Sequence, residues 1–241
     1  KVSVLFLVVM LCLSLVTVGC GKSEAPAEPA GQSAGDGSLD RVKKAGKIVA
    51  GLDDAFPPMG FRDEKGELTG FDIEFGQELS KKMGIEITWQ PTVWDTVVAS
   101  LKGKKFDVII SGMNITKERQ AEVNFAGPYA KIGQILVVQA KNDAITSLKD
   151  VAKGRVGTQA GSTAHKILNN EGFTDDQIKL YKEYPLCFND LEIGRIDAVV
   201  CDGFAIKTYT DKRPGAFKQV GEQMGVEDAA VGVAVRKEDK E

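Results

Sequence analysis

Along the body of this chain, short apolar runs alternate with stretches whose apolar residues recur every three or four positions. The runs Lys47–Leu52, Phe106–Ile110, Gln134–Ala140, Arg155–Thr158, Ile178–Lys182, Ile196–Cys201 and Val231–Val235 are short and predict strands. Ile85–Trp89 alternates apolar and polar positions and predicts another. Ile73, Gly76, Leu79 and Met83 share a helical face, so Phe71–Met83 reads as a helix closed by Gly84. Ser38 is placed to cap a helix over Leu39–Ala45 that Gly46 ends. Further helices are expected over Trp94–Lys102, from Thr116 through Ala121, over Ser147–Ala152, from Gly161-Ser162-Thr163 through Asn170, over Leu186–Ile193 and over Gly203–Asp211. Asp63–Gly66 reads as a turn.

Strands alternating with helices point to an α/β fold with parallel sheets. Two such sets, with Gly127-Pro128-Tyr129 between them, suggest two lobes joined near that point. Ligands of open α/β sheets bind beyond the carboxyl ends of the strands. That rule selects the loops Asp53–Pro58, Ser111–Asn114, Gln159–Thr163 and Asp202–Gly203, two from each set.

The N-terminal pattern is different. Lys1 precedes an uncharged, largely apolar run, Val2 to Val18, that ends at Gly19-Cys20. One positive charge, an apolar core and small residues read as a secretory signal over residues 1–19. Leu15-Val16-Thr17-Val18-Gly19-Cys20 resembles a bacterial lipobox, which makes Cys20 the lipid-bearing mature N-terminus and the exported protein membrane-anchored. Residues 20–37 carry almost no large apolar group and read as a flexible tether. Of the remaining cysteines, Cys12 leaves with the signal, and Cys187 and Cys201 stay in the folded body. Export permits a disulfide between these two, although separate buried thiols are the preferred reading.

Composition narrows the function. The chain has 241 residues, 43% hydrophobic and 27% charged, with a formal net charge of −3, which speaks against disorder and against a nucleic-acid partner. His165 is the only histidine, so a His-rich metal site is excluded. No nucleophile elbow, phosphate loop or dinucleotide fingerprint is present, and no catalytic residue, metal or cofactor is expected. Residues suited to a zwitterion are present. Arg119 offers a planar fork to a carboxylate, near the free N–H groups that open the helix after Thr116. Asp202 ends a strand of the second set, where an acid could take an ammonium. On position alone, Arg119 also reads as a surface side chain and Asp202 as a helix cap. Phe56 and Trp94 lie in or beside polar loops, where aromatics either flank a ligand or simply join the core.

The same residues carry a resemblance. Gly51-Leu52-Asp53-Asp54-Ala55-Phe56-Pro57-Pro58-Met59, Gly70-Phe71-Asp72-Ile73-Glu74-Phe75, Ser111-Gly112-Met113-Asn114-Ile115-Thr116-Lys117-Glu118-Arg119, Gln159-Ala160-Gly161-Ser162-Thr163 and Gly194-Arg195-Ile196-Asp197-Ala198 leading to Asp202 occur in order. Together they resemble the polar amino-acid-binding proteins of bacterial ABC importers, the periplasmic-binding-protein-like class related to histidine-, arginine- and glutamine-binding proteins. The resemblance runs from about Ser38 to the end. It implies the two-lobed type II fold, with residues 38–128 plus 228–241 as lobe 1 and 129–227 as lobe 2. It implies a cleft formed by Asp53, Phe56, Trp94, Ser111, Gly112, Asn114, Arg119, Gln159, Thr163 and Asp202, with Arg119 on the α-carboxylate and Asp202 on the α-ammonium. The implied partners are a free amino acid and the permease subunits of an importer, and a monomer is the expected state. Arginine or lysine is favoured over glutamine, with cystine an outsider, because Asp53 could pair with a distal cation. Relatives continue past the segment like Val231–Glu241, so the native chain is expected to extend further, with Lys237–Glu241 starting a helix. The rival expectations are an amino-acid-synthesis dehydratase of the same fold and a ligand-binding sensor domain.

Overall fold

The computed structural model describes residues 36–151 and 154–241. The expected signal, the expected lipidation site Cys20 and nearly all of the expected tether lie outside the described residues. The first part of the body comprises α1 (Ser38–Ala45), β1 (Lys47–Leu52), a small antiparallel sheet of β2 (Ala55–Phe56), β3 (Gly60–Arg62) and β4 (Leu68–Thr69), α2 (Phe71–Met83) and β5 (Glu86–Pro91). A 3₁₀ turn at Trp94–Thr96 leads into α3 (Val97–Lys102), followed by β6 (Val108–Ile109), α4 (Lys117–Glu122) and β7 (Val123–Lys131). The second part comprises β8 (Gln134–Gln139), β9 (Val156–Gln159), α5 (Thr163–Asn170), β10 (Ile178–Tyr181), α6 (Tyr184–Glu192), β11 (Ala198–Asp202), α7 (Ala205–Lys212) and β12 (Phe217–Met224). The last strand among the described residues, β13 (Ala230–Arg236), returns to the first sheet.

The result is a two-lobed α/β fold built on two five-stranded sheets, ordered β5-β1-β6-β13-β7 and β10-β9-β11-β8-β12. Both sheets are mixed, which corrects the expectation of parallel ones. β5-β1-β6 and β10-β9-β11 are parallel, whereas β13 and β7, and β8 and β12, join antiparallel. β7 and β12 were not expected as strands because their sequences carry Gly, Pro and charge. Both are edge strands, where Pro128 removes no ladder bond on the free side. β7 continues through Gly127-Pro128-Tyr129 with a shift of register against β13, and Ala130 and Lys131 still pair with Val231 and Ala230. The chain therefore changes sheet at residues 132–133 and returns at 225–229.

Glycines in the left-handed region end the helices where the sequence places them: Gly46 after α1 and Gly84 after α2. Ser38 is not the cap of α1 but its first residue; Gly37 precedes it, and the Asp36 carboxylate accepts its N–H at 2.8 Å. Lys237–Glu241 does not begin a helix. Asp239 is drawn back to Arg236 and Arg41, and the Glu241 N–H donates to Ser38 Oγ at 3.2 Å. Cys187 and Cys201 are separate, fully buried thiols, and burial pushes both well up from the ordinary thiol value.

Trp94, Val97, Leu101, Phe106, Ile109, Met113 and Val123 form the core of the first lobe. Leu136, Val138, Val156, Leu168 and Val200 pack one side of the second sheet, and Tyr184, Phe188, Leu191 and Val199 the other. Phe56 and Met59 of the first lobe belong to this last cluster, so the lobes share apolar contact. The loop bearing Phe56 is locked at Gly70, where φ is 119°. The first N–H groups of α2, from Phe71 and Asp72, donate to the Pro58 and Met59 carbonyls at 2.9 Å. A Cβ on Gly70 would overlap those same carbonyl oxygens. Gly70→Ala is therefore expected to cost about 2 kcal/mol or more of stability, read as a lowered urea midpoint with an unchanged slope.

Candidate functional site

The carboxyl ends of β1, β6, β9 and β11 converge between the lobes. Asp53 follows β1 and is 4% exposed. Its N–H donates to Ser111 Oγ at 2.9 Å, and its Oδ1 accepts the Ala55 N–H at 2.9 Å. Its Oδ2 accepts from Gln159 Nε2 of the second lobe at 2.6 Å. The same amide nitrogen donates to the Lys182 carbonyl at 2.9 Å. Burial pushes the Asp53 carboxyl up to about 6, against the pull of the Gln159 bond.

Gly112 has φ 56°, and a Cβ there would stand 2.8 Å from Phe56 Cε1, so only glycine lets this loop approach that ring. Its N–H donates to the Tyr129 hydroxyl at 3.1 Å, which in turn donates to Asp72 Oδ1 at 2.8 Å. Asp72 is fully buried, and burial pushes its carboxyl up to about 7.

Thr116 caps α4 by accepting the Arg119 N–H at 3.3 Å, which sets the Arg119 side chain against the cleft. The guanidinium Nη1 donates to the Asn114 carbonyl at 3.0 Å and to Thr163 Oγ1 at 3.4 Å. Nη2 donates to the Gly161 carbonyl at 3.3 Å. The guanidinium carbon lies 5.2 Å over the Trp94 ring. Enclosure pushes Arg119 down to about 10, while Asp202 pulls it back up. Thr163 Oγ1 also donates to Asn114 Oδ1 at 3.0 Å, and Asn114 Nδ2 donates to the Ile132 carbonyl at 3.2 Å where the chain changes sheet.

Asp202, at the end of β11, is 6% exposed and accepts from Gln134 Nε2 at 2.7 Å. Burial pushes it up to about 6, with the Gln134 bond and the Arg119 charge opposing. The other amide atom, Gln134 Oε1, is buried without a hydrogen-bond partner.

The residues singled out from sequence thus gather in one ring at the lobe junction. Trp94 supports Arg119, and Phe56 packs on Tyr184 and Phe204 of the second lobe, with ring centroids 5.6 and 5.4 Å away. Sequence reasoning missed Gln134, Tyr184, Phe204 and the Tyr129–Asp72 pair. A polar residue opening an otherwise buried strand was the available signal for Gln134. His165 Nδ1 accepts the Gly161 N–H at 3.4 Å and so shapes the loop that faces Arg119. Among the described residues no group of three or more His, Cys, Asp or Glu is placed to hold a metal, and no helix is long and apolar enough to cross a membrane.

Comparison with known proteins places this geometry. Residues 48–241 match the family described as bacterial extracellular solute-binding proteins, family 3. The chain is 34% identical over 205 residues to the L-cystine-binding protein TcyJ of Escherichia coli (strain K12), covering 85% of this chain and 76% of that one. It is 33% identical over 202 residues to the lysine/arginine/ornithine-binding periplasmic protein of the same organism, covering 80% of this chain and 77% of that one. Among solved structures, an arginine-bound mutant of ArgBP from T. maritima superposes with a TM-score of 0.77 at 32% identity, covering 83% of this chain and 92% of that one. The chain belongs to the bacterial extracellular solute-binding proteins, family 3.

Proposed function

We propose that this protein captures a free polar amino acid at the lobe junction and hands it to the permease subunits of an ABC importer. One observation carries the reading. Arg119 and Asp202 are opposite charges from opposite lobes, drawn into one ring, yet each is held by neutral partners and they form no salt bridge with each other. A zwitterion supplies the missing charge to both. Arg119 takes the α-carboxylate, with the N–H groups near Asn114 and Thr163. Asp202 takes the α-ammonium, with the Gly112 carbonyl as a second acceptor. Ser111 holds the loop, Phe56 and Trp94 bound the side chain, and Asp53 and Gln159 meet its far end.

In this reading residues 36–131 with 230–241 act as one lobe and 134–224 as the other, and the lobes close on the ligand. The mature protein is a monomer anchored through lipidated Cys20. The relatives' named ligands are cystine and basic amino acids, which supports a polar, extended side chain. A thermal-shift screen against the common amino acids tests the function. A ligand that binds only the folded state stabilises it by about 2.7 kcal/mol at a hundred times its Kd, so the true ligand raises the melting temperature by several degrees. If no amino acid at millimolar concentration moves the melt of a cooperatively folding sample, the reading is wrong.

A further inference from the structure

Outside the ring, at the carboxyl ends of β1, β5 and β10, lies a cavity of about 180 Å³ bordered by Asp53, Asp54, Thr92, Lys182 and Glu183. Both lobes contribute: Asp53, Asp54 and Thr92 from the first, Lys182 and Glu183 from the second. Gln159 forms the partition, because its amide nitrogen holds both Asp53 Oδ2 and the Lys182 carbonyl. Asp53 therefore belongs to the inner ring and to the outer cavity at once.

The charges around the cavity are of both signs. Asp54 is already paired with Arg62 at 2.6 Å. Lys182 and Glu183 are exposed, and among the described residues neither forms a salt bridge. Glu183 lies near enough to Asp53 for its charge to hinder ionisation there. A ligand ending in a single cation would gain Asp53 and Glu183 but oppose Lys182. A ligand ending in a neutral amide would leave all three charges unmatched. A second amino-acid head matches both signs, with its ammonium toward Asp53 and Glu183 and its carboxylate toward Lys182.

We propose that this outer cavity is a second head-group subsite, so that the cleft takes a diamino dicarboxylate, an amino acid with an α-amino-acid head at each end. The proposal rests on reading the inner ring as an amino-acid site. It reverses the order of ligands expected from sequence, because Lys182 and Glu183 meet Asp53 only in the folded chain.

Calorimetry on the purified protein tests it with L-cystine and its thioether analogue cystathionine as two-headed ligands, against L-lysine, L-arginine and L-glutamine. The two-headed ligands are expected to bind at least about tenfold more tightly, and Lys182→Met and Glu183→Gln to cut that preference by about tenfold each. Both side chains are exposed, so thermal melts should match the parent protein. The subsite is overturned, with the inner site intact, if single-headed amino acids bind as tightly as cystathionine or if both variants keep the full preference. If no amino acid of either kind binds, the inner-site reading falls and the subsite with it.

Discussion

Arg119→Ala and Asp202→Asn are each expected to weaken amino-acid binding by at least about tenfold, and by roughly 2–5 kcal/mol if the closed cleft excludes water as fully as a buried interface does. The two losses differ in kind. Arg119→Ala removes the fork for the carboxylate and also the bonds to Gly161 and Thr163 that reach across the lobes. Its α4 helix is a six-residue surface element without a buried residue, so the unliganded protein should still fold. Asp202→Asn keeps the shape and the Gln134 contact but offers the ammonium no charge. The ligand's α-amide and N-acetyl derivatives provide the control, since each lacks one charge. Calorimetry on both variants, with circular dichroism melts to confirm folding, decides the matter. Wild-type affinity in both variants, or full binding of both derivatives, would falsify the clamp.

Acidification from about pH 8 to about pH 5 is expected to stabilise the unliganded protein and to weaken its hold on the ligand. Asp72 is held up to about 7, and Asp53 and Asp202 to about 6, all mainly by burial and all above the ordinary carboxylate value of 3.8. The folded protein therefore binds more protons than the unfolded chain between those values. Stability from these groups is fully present below the unfolded value and is lost as pH rises through 6 to 7. His165 works in the opposite sense, because burial lowers it from 6.5, but it is one partly exposed group against three enclosed ones. Glu118 and Asp150 are lowered to about 2, and the stability they supply falls away only below the range considered. The ligand sees the reverse. Its ammonium needs Asp202 ionised, so affinity should fall by up to about tenfold per pH unit below about 6. Melting curves with and without ligand across this range test both halves. An unliganded melting temperature that drops on acidification, or an affinity flat down to about pH 5, would contradict them.

Much of the fold was legible because glycine punctuates it. α2 begins after Gly70 and stops at Gly84, and β1 begins after Gly46, where periodicity and punctuation agree. β7 and β12 were illegible because an edge strand needs only one hydrogen-bonded side and half a buried face, which leaves no run of apolar residues to read. The site was legible as far as single loops could show it: Asp53, Ser111, Arg119 and Asp202 stand at strand ends or at the helix start that follows. What local pattern could not show was which lobe faces which. The stacking of Arg119 on Trp94, the seat of Phe56 between Tyr184 and Phe204, and the meeting of Asp53 with Gln159 depend on packing between segments far apart in the chain.

The place of β13 bears on when the molecule becomes able to bind. The second sheet is made of consecutive chain, 134–224, and needs nothing that follows it. The first sheet is different, because β13 is inserted between β6 and β7, which otherwise have no contact in the ladder. The carboxylate loop hangs from that same strand: the Ile115 N–H donates to the Ala230 carbonyl at 2.7 Å, the Gly232 N–H to the Met113 carbonyl at 3.0 Å, and Asn114 bridges to Val231. A chain emerging from an export channel N-terminus first can therefore assemble its second lobe while the loop that orients Asn114 and Arg119 is still unsupported. On the proposed function, a copy cut before β13 is expected to hold no amino acid, because its carboxylate loop has lost the strand it hangs from.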